Sequence, residues 1–186
     1  MRLVERGLFL VWIQNYGSQN PNMSIHDVLL EANSKPDWDG RINASGLAII
    51  KSFEGWSPSV YHCGARWTIG FGSTYDLDRN RITPDHPDID EDTGEILLRQ
   101  EVHHSEGAIR RLIKYPLNEN QFSSLVSFCY NVGSGNLQKS SLRMKLNRGD
   151  VEGASAEFPK WRRSAGKILS GLVRRRQAER NLFLLQ

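Results

Sequence analysis

The chain changes its hydrophobic period once between Ile42 and Thr74, and that change constrains the fold more than any other feature of its 186 residues. Leu47, Ile50 and Phe53 recur at three-residue spacing with Ile49 beside them, the stripe of an amphipathic helix. Asn43 or Ser45 can cap its start, and Gly55 ends it. Trp67, Ile69 and Phe71 then alternate with Thr68, Gly70 and Gly72, which is a strand with one large apolar face and one small or polar face. Val60 to Thr83 therefore reads as a small antiparallel sheet whose polar face is a candidate cleft wall. Gly70 and Gly72 leave room there for a ligand or a neighbouring backbone to approach.

Glu54 stands where the period switches. It falls on the final turn of the expected helix, where backbone carbonyls carry partial negative charge and disfavour a carboxylate, the direction a general acid needs. An acid facing a hairpin that bears Cys63 and Thr68 suits a cleft in which a glycosidic oxygen must be protonated. Alone, a glutamate before a glycine is ordinarily a solvated helix end. Order and spacing separate this one from that case: Glu54-Gly55, then Tyr61, then Cys63, then Thr68-Ile69-Gly70-Phe71-Gly72.

Past the sheet, the acid-rich stretch from Asp76 to Asp92 contains Pro84 and Pro87 and is expected to be irregular; it lacks the ordered D-x-D-x-D-G pattern of a calcium loop. A long amphipathic helix follows from about Asp90 to Lys114, through Ile96, Leu97, Val102, Ile109 and Ile113. Asn118 to Asn131 places Phe122, Leu125, Val126 and Cys129 on one stripe, which makes Cys129 a core residue. Gly133-Ser134-Gly135 breaks the chain, and helices are expected over Ser140–Asn147, over Asp150–Trp161 and after Gly171. Residues 1–43 differ in composition: an apolar run at Gly7–Ile13, a polar run to Asn22, and a helix over Ser24–Ala32 before Pro36. A start at Met23 would also suit this zone.

Charge and cysteine content narrow the function classes. Between Lys160 and Gln186 there are eight Lys or Arg against one acid, Glu179. That end of the chain reads as solvated charge or as a contact with an anionic envelope; no aromatic platform or recognition motif beside it points to nucleic acid. Cys63 and Cys129 are too few for a disulfide framework and have no metal spacing. His103 and His104 are adjacent on a helix, about 100° apart, so they cannot face one ion and read as surface histidines. No metal or other cofactor is implied. The Gly7–Ile13 run is too short to span a membrane, which takes roughly 20 apolar residues, and no clean cleavage site follows it. The expectation is a chain without signal peptide or transmembrane segment.

The ordered segment from Glu54 to Gly72, the run LNENQFSSLVSFCYNVGSG followed by SSLRMKLNRGD, and the ending EFPKW with SAGKILSGLVRRRQAER together resemble the phage-type lysozymes, glycoside hydrolase family 24, in the group found in phages of enteric bacteria. The resemblance runs from Asn43 onward. It implies an α+β, lysozyme-like fold: a small antiparallel β lobe joined by a long helix to a mainly helical lobe, with the cleft between them. It implies an inverting peptidoglycan hydrolase, an endolysin that acts as a monomer on the bacterial wall. Glu54 would be its general acid, Thr68 would hold the attacking water, and Cys63 would stand where many members have aspartate and others cysteine. Tyr61, Gly72, Tyr130 and Asn131 would bind substrate, although Asn131 also suits a helix C-cap. Two departures stand out. The Cys63-to-Thr68 spacing is one residue shorter than usual, in the turn Gly64-Ala65-Arg66, and Ser73 replaces the histidine that commonly follows the second glycine. A thiol with an ordinary pKa of about 8.5 is a weaker electrostatic partner than a carboxylate at neutral pH. A lytic transglycosylase and a catalytically silent murein-binding protein are the competing readings.

Overall fold

The computed structural model describes residues 38–185. From Gly40 onward the chain forms one compact unit. The helix expected over Ser24–Ala32 lies outside the described residues.

Helix α1 (Ala44–Glu54) begins where the Asn43 side chain accepts a hydrogen bond from Gly46 N at 2.9 Å, and ends at Gly55, whose φ of 79° is one that side chains resist. Strands β1 (Ser57–Cys63) and β2 (Arg66–Gly70) follow as an antiparallel hairpin. Gly64 and Ala65 make a two-residue turn, with Tyr61 opposite Thr68, His62 opposite Trp67 and Cys63 opposite Arg66. Single bridges, Ile69 to Ser73 and Tyr75 to Arg81, extend the β lobe beyond these strands. The sheet starts three residues earlier than its alternation predicts, and its faces differ from the simple pattern. Thr68 is 5 % exposed whereas Trp67 is 38 % exposed. Trp67 sits at the far end of a two-stranded hairpin, beyond the core, and meets His62 edge-on with ring centroids 4.9 Å apart. The buried apolar face begins only at Ile69, which packs with Ile82 and Leu97.

The 22-residue helix α2 (Glu91–Leu112) links the lobes. Asp90 caps it through Thr93 N at 2.8 Å; acids occupy its first turn and Arg110 and Arg111 its last, complementing the helix dipole. Gly94 lets the β lobe sit close to this helix, since a methyl group there would overlap the Trp56 ring. Ile96, expected on the apolar stripe, is half exposed.

Helix α3 (Glu119–Val132) opens with a capping box between Asn118 and Gln121 and is flanked by α1, α2 and the last helix, which places it at the centre of the helical lobe. Gly133 ends it at a φ of 86°, so Asn131 is not the cap. The chain does not remain broken after Gly133: α4 (Ser134–Lys139) starts at the next residue, followed by α5 (Ser141–Leu146) and α6 (Val151–Ser155). The single helix expected over Asp150–Trp161 is instead α6 and a 3-10 turn, Phe158–Lys160, because Pro159 cannot donate to a continuing helix and crowds the preceding turn. A second hairpin, β3 (Arg163–Ser164) and β4 (Lys167–Ile168), turns through Ala165 and Gly166, both at positive φ. It leads into α7 (Ser170–Phe183), which packs on α3. Phe128 of α3, Phe158 and Phe183 at the end of α7 form an aromatic chain, with successive centroids 5.3 and 5.5 Å apart.

Candidate active site

Glu54 ends α1 with its side chain 28 % exposed, and its Oε1 accepts a hydrogen bond from Arg175 Nη1 at 2.7 Å. Arg175 comes from α7, 121 residues along the chain, and its side chain is 3 % exposed. What holds it is Glu179, one turn further on α7: Arg175 Nε lies 3.2 Å from Glu179 Oε1, and Arg176 Nε lies 2.8 Å from Oε2. Ser127 of α3 donates to Glu179 Oε1 at 2.9 Å, and Ser124 donates to the Glu179 backbone carbonyl at 2.6 Å. Arg176 also lies over the Phe128 ring, 4.9 Å from its centroid. The carboxyl of Glu54 is thus tied through a buried ion cluster to the middle of the helical lobe. Water cannot screen these charges, so geometry governs their strength.

This arrangement adds to one expectation and corrects another. Beside the helix end, a guanidinium also acts at Glu54. Arg175 and Arg176 do not belong to a solvated or envelope-facing surface; they are buried, and the lone acid among the eight basic residues is what allows it. The i, i+4 and i, i+3 spacings of Arg175 and Arg176 to Glu179 were the available signal.

On the opposite wall, the Thr68 hydroxyl donates to the Tyr61 carbonyl at 3.2 Å across the β1–β2 pair. Burial raises the Tyr61 phenol above its ordinary pKa, and the neighbouring Cys63 and Glu54 add to the rise, so these three side chains share one electrostatic neighbourhood. Cys63 is a free, exposed thiol at the end of β1 beside the tight turn. The tight turn is Gly64-Ala65, while Arg66 is already strand.

Tyr130 approaches from α3. Burial first, then the charges of Glu101 and Glu54, push its phenol upward, and Arg175 opposes the rise. Its hydroxyl donates to Glu101 Oε2 on α2 at 3.2 Å. Asn131 is exposed on the last turn of α3. Gly72 lies in the turn after β2 at a φ of 102°, its N–H bonded to the Ile69 carbonyl at 3.2 Å, with open space where a side chain would project. The structure thus gathers Glu54, Tyr61, Cys63, Thr68 and Tyr130 around one site and adds Arg175, Glu179 and Glu101.

The family model for phage lysozyme matches residues 51–179, a span that holds this whole constellation. The chain belongs to the phage lysozyme family. Among curated relatives, the endolysin of Acyrthosiphon pisum secondary endosymbiont phage 1 is 39 % identical over 147 residues, which cover 76 % of this chain and 97 % of that protein. Among solved structures, a P22 lysozyme mutant superposes with a TM-score of 0.72 at 30 % identity, covering 78 % of this chain and 99 % of the other. The muramidase domain of SpmX from Asticaccaulis excentricus does so at 0.68 and 31 %, again covering 78 % and 99 %. These likenesses confirm the α+β lysozyme-like fold. Ser73, in the turn after β2, is 1 % exposed and lies beside Glu101.

Proposed function

We propose that the chain cleaves the β-1,4 bond between N-acetylmuramic acid and N-acetylglucosamine, with Glu54 as general acid and a water held at Thr68 as nucleophile. As a phage lysozyme it is a peptidoglycan hydrolase of the endolysin kind, acting on the cell wall to lyse the host. The observation that carries the residue assignment is the pairing of Glu54 Oε1 with a buried, braced arginine at 2.7 Å. Because Arg175 engages Oε1, the other oxygen is left for the leaving glycosidic oxygen. A carboxyl held to one orientation contributes more to proton transfer than a freely rotating one.

Thr68 donates its own proton to the Tyr61 carbonyl, and its oxygen, beside the Tyr61 phenol, has lone pairs with which to accept from a water and to turn that water's lone pair toward the sugar. Cys63, exposed at the hairpin end, assists the orientation of this water. Tyr61 and Tyr130 supply aromatic walls, and Asn131 and Gly72 offer an amide and open backbone to the N-acetyl groups. Among the basic residues of the C-terminal region, the exposed Arg162, Arg163, Lys167 and Arg174 face the anionic envelope, a contact that rising salt weakens.

Clearing of outer-membrane-permeabilised cells by the parent and by Glu54→Gln tests the assignment. The variant is expected to lose activity by about 10²–10⁴-fold, the usual share of a positioned acid. Equal clearing by both would remove Glu54 from this role. Mass spectrometry of digested murein is expected to give reducing ends. Anhydro-muropeptides as the main product would establish the transglycosylase, and absence of cleavage by the parent would leave a binding protein.

A further inference from the structure

Glu101 is a carboxylate that the chemistry above does not use, yet it is placed where three parts of the molecule meet. It lies in the middle of α2, the helix between the lobes, with its side chain turned inward. From the helical lobe, Tyr130 of α3 donates its hydroxyl to Oε2 at 3.2 Å. From the β lobe, Ser73 and the backbone of Thr74 stand against the same carboxyl and favour its charge. The Ser73 hydroxyl is fully buried and makes no well-formed hydrogen bond of its own, so Glu101 is the polar group it faces. Burial is the largest influence on Glu101 and raises its pKa above the ordinary value, and the charge of nearby Glu54 adds to the rise. A half-buried carboxylate that costs free energy to ionise needs some compensating contact to persist. Here the contacts come from opposite lobes.

We propose that Glu101 is a positioning residue that latches the two walls of the cleft to the interlobe helix, fixing the Tyr130 ring on one side and the Gly72–Thr74 turn on the other. One carboxyl that is bonded to a phenol and faced by the buried, unpaired hydroxyl of the turn joins two surfaces into one binding groove. The effect is on how saccharide is bound, because neither Tyr130 nor the turn transfers a proton. This inference rests on the cleft at Glu54 being the saccharide site, so its test includes a measurement that needs no substrate.

The two readouts are the distance between lobes and the split between KM and kcat on soluble glycan chains released from murein. For the distance, one nitroxide is placed on the native exposed Cys63 and a second on Lys139→Cys, also exposed, while Cys129 is buried and silent. Glu101→Ala is expected to broaden the distance distribution and to raise KM by about tenfold, the loss of one hydrogen bond to a charged group, with kcat within about threefold of the parent. Tyr130→Phe is expected to move both readouts the same way, and the double variant to be no worse than the larger single effect. Glu101→Gln keeps an acceptor oxygen for Tyr130 and is expected to restore the narrow distribution and most of the KM. An unchanged distance distribution in Glu101→Ala overturns the latch whatever the enzyme cleaves. A fall in kcat matching that of Glu54→Gln overturns it in favour of direct catalysis. Additive effects of Glu101→Ala and Tyr130→Phe overturn the coupling between them. If Glu54→Gln proves fully active while Glu101→Ala broadens the distribution, the site assignment has failed and the latch has not.

Discussion

The two sides of the cleft are built on different principles. The Glu54 side is anchored: its carboxyl is bonded to Arg175, Arg175 to Glu179, and Glu179 to Arg176 and Ser127, all inside the helical lobe. The Cys63 side ends in a two-residue turn on an exposed hairpin, where neighbouring Arg66 and Trp67 are also exposed. One wall is held by buried charge and the other by a backbone ladder of few residues. The difference indicates where a change is tolerated. A change of length or of side-chain chemistry can be accommodated at a hairpin tip, whereas the acid side admits almost no change without uncompensated charge in the core.

The strongest challenge to this contrast is to remove the centre of the brace. Glu179→Ala leaves Arg176 without a counter-charge and Arg175 with Glu54 alone, and deprives Ser127 of its acceptor. Breaking a buried pair in this way costs about 3–5 kcal/mol. Urea denaturation is expected to show that loss with an unchanged m-value. Activity measured well below the new midpoint should also fall, because Arg175 no longer has a fixed position from which to hold Glu54. Stability within 1 kcal/mol of the parent, on the order expected of a surface pair, would mean that the cluster is not the anchor described here.

A smaller effect distinguishes the second cleft carboxyl from the first. Glu54 has a guanidinium partner, while Glu101 is held by a phenol and a turn, and burial raises its pKa in the fold. A folded-state pKa above the unfolded value contributes stability that is present in acid and lost as pH rises through the folded pKa. Glu101→Gln, which cannot ionise, should therefore be more stable than the parent near pH 8 and lose that advantage below the unfolded glutamate range, about pH 4. Thermal melts of both proteins across this window read the difference directly. A constant offset at every pH would show that Glu101 ionises as readily in the fold as in the unfolded chain.

The contrast also marks how much of the molecule could be read from its sequence. The switch of period at Glu54-Gly55, the long helix expected to about Lys114 and found to end at Leu112, and the stripe through Phe122, Leu125, Val126 and Cys129 are local patterns, and the structure follows them to within two residues. The β3–β4 hairpin was missed because its strands are two residues each, too short for any alternation to register. The brace was missed for a different reason. Basic residues on a terminal helix read as solvated charge unless a partner is known, and the partner that brings Arg175 inward is 121 positions away. Trp67 shows the same limit from the other side: period-2 reading assigns it a face but not its place beyond the edge of the core. Glu101 carried no sequence signal beyond its place on α2, because its partners Ser73 and Tyr130 are joined only by the tertiary fold.

The least damaging change should be at Cys63 itself. If the hairpin tip contributes mainly by orienting water, Cys63→Ala keeps the turn, the Tyr61–Thr68 pair and the entire Glu54 brace, and murein cleavage is expected to stay within about tenfold of the parent, below the range of a lost general acid. Cys63→Asp puts a carboxylate at this position. Because an aspartate carries its charge at neutral pH where an ordinary thiol is largely uncharged, it should cleave at least as fast as the parent. The two variants test different parts of the comparison. A loss in Cys63→Ala as deep as that in Glu54→Gln would make the tip an equal catalytic partner and end the asymmetry between the walls. Full activity in Cys63→Ala with a loss in Cys63→Asp would sharpen it: the hairpin would then be shaped around a small neutral side chain, and the site would rely on Glu54 and Thr68 for its chemistry.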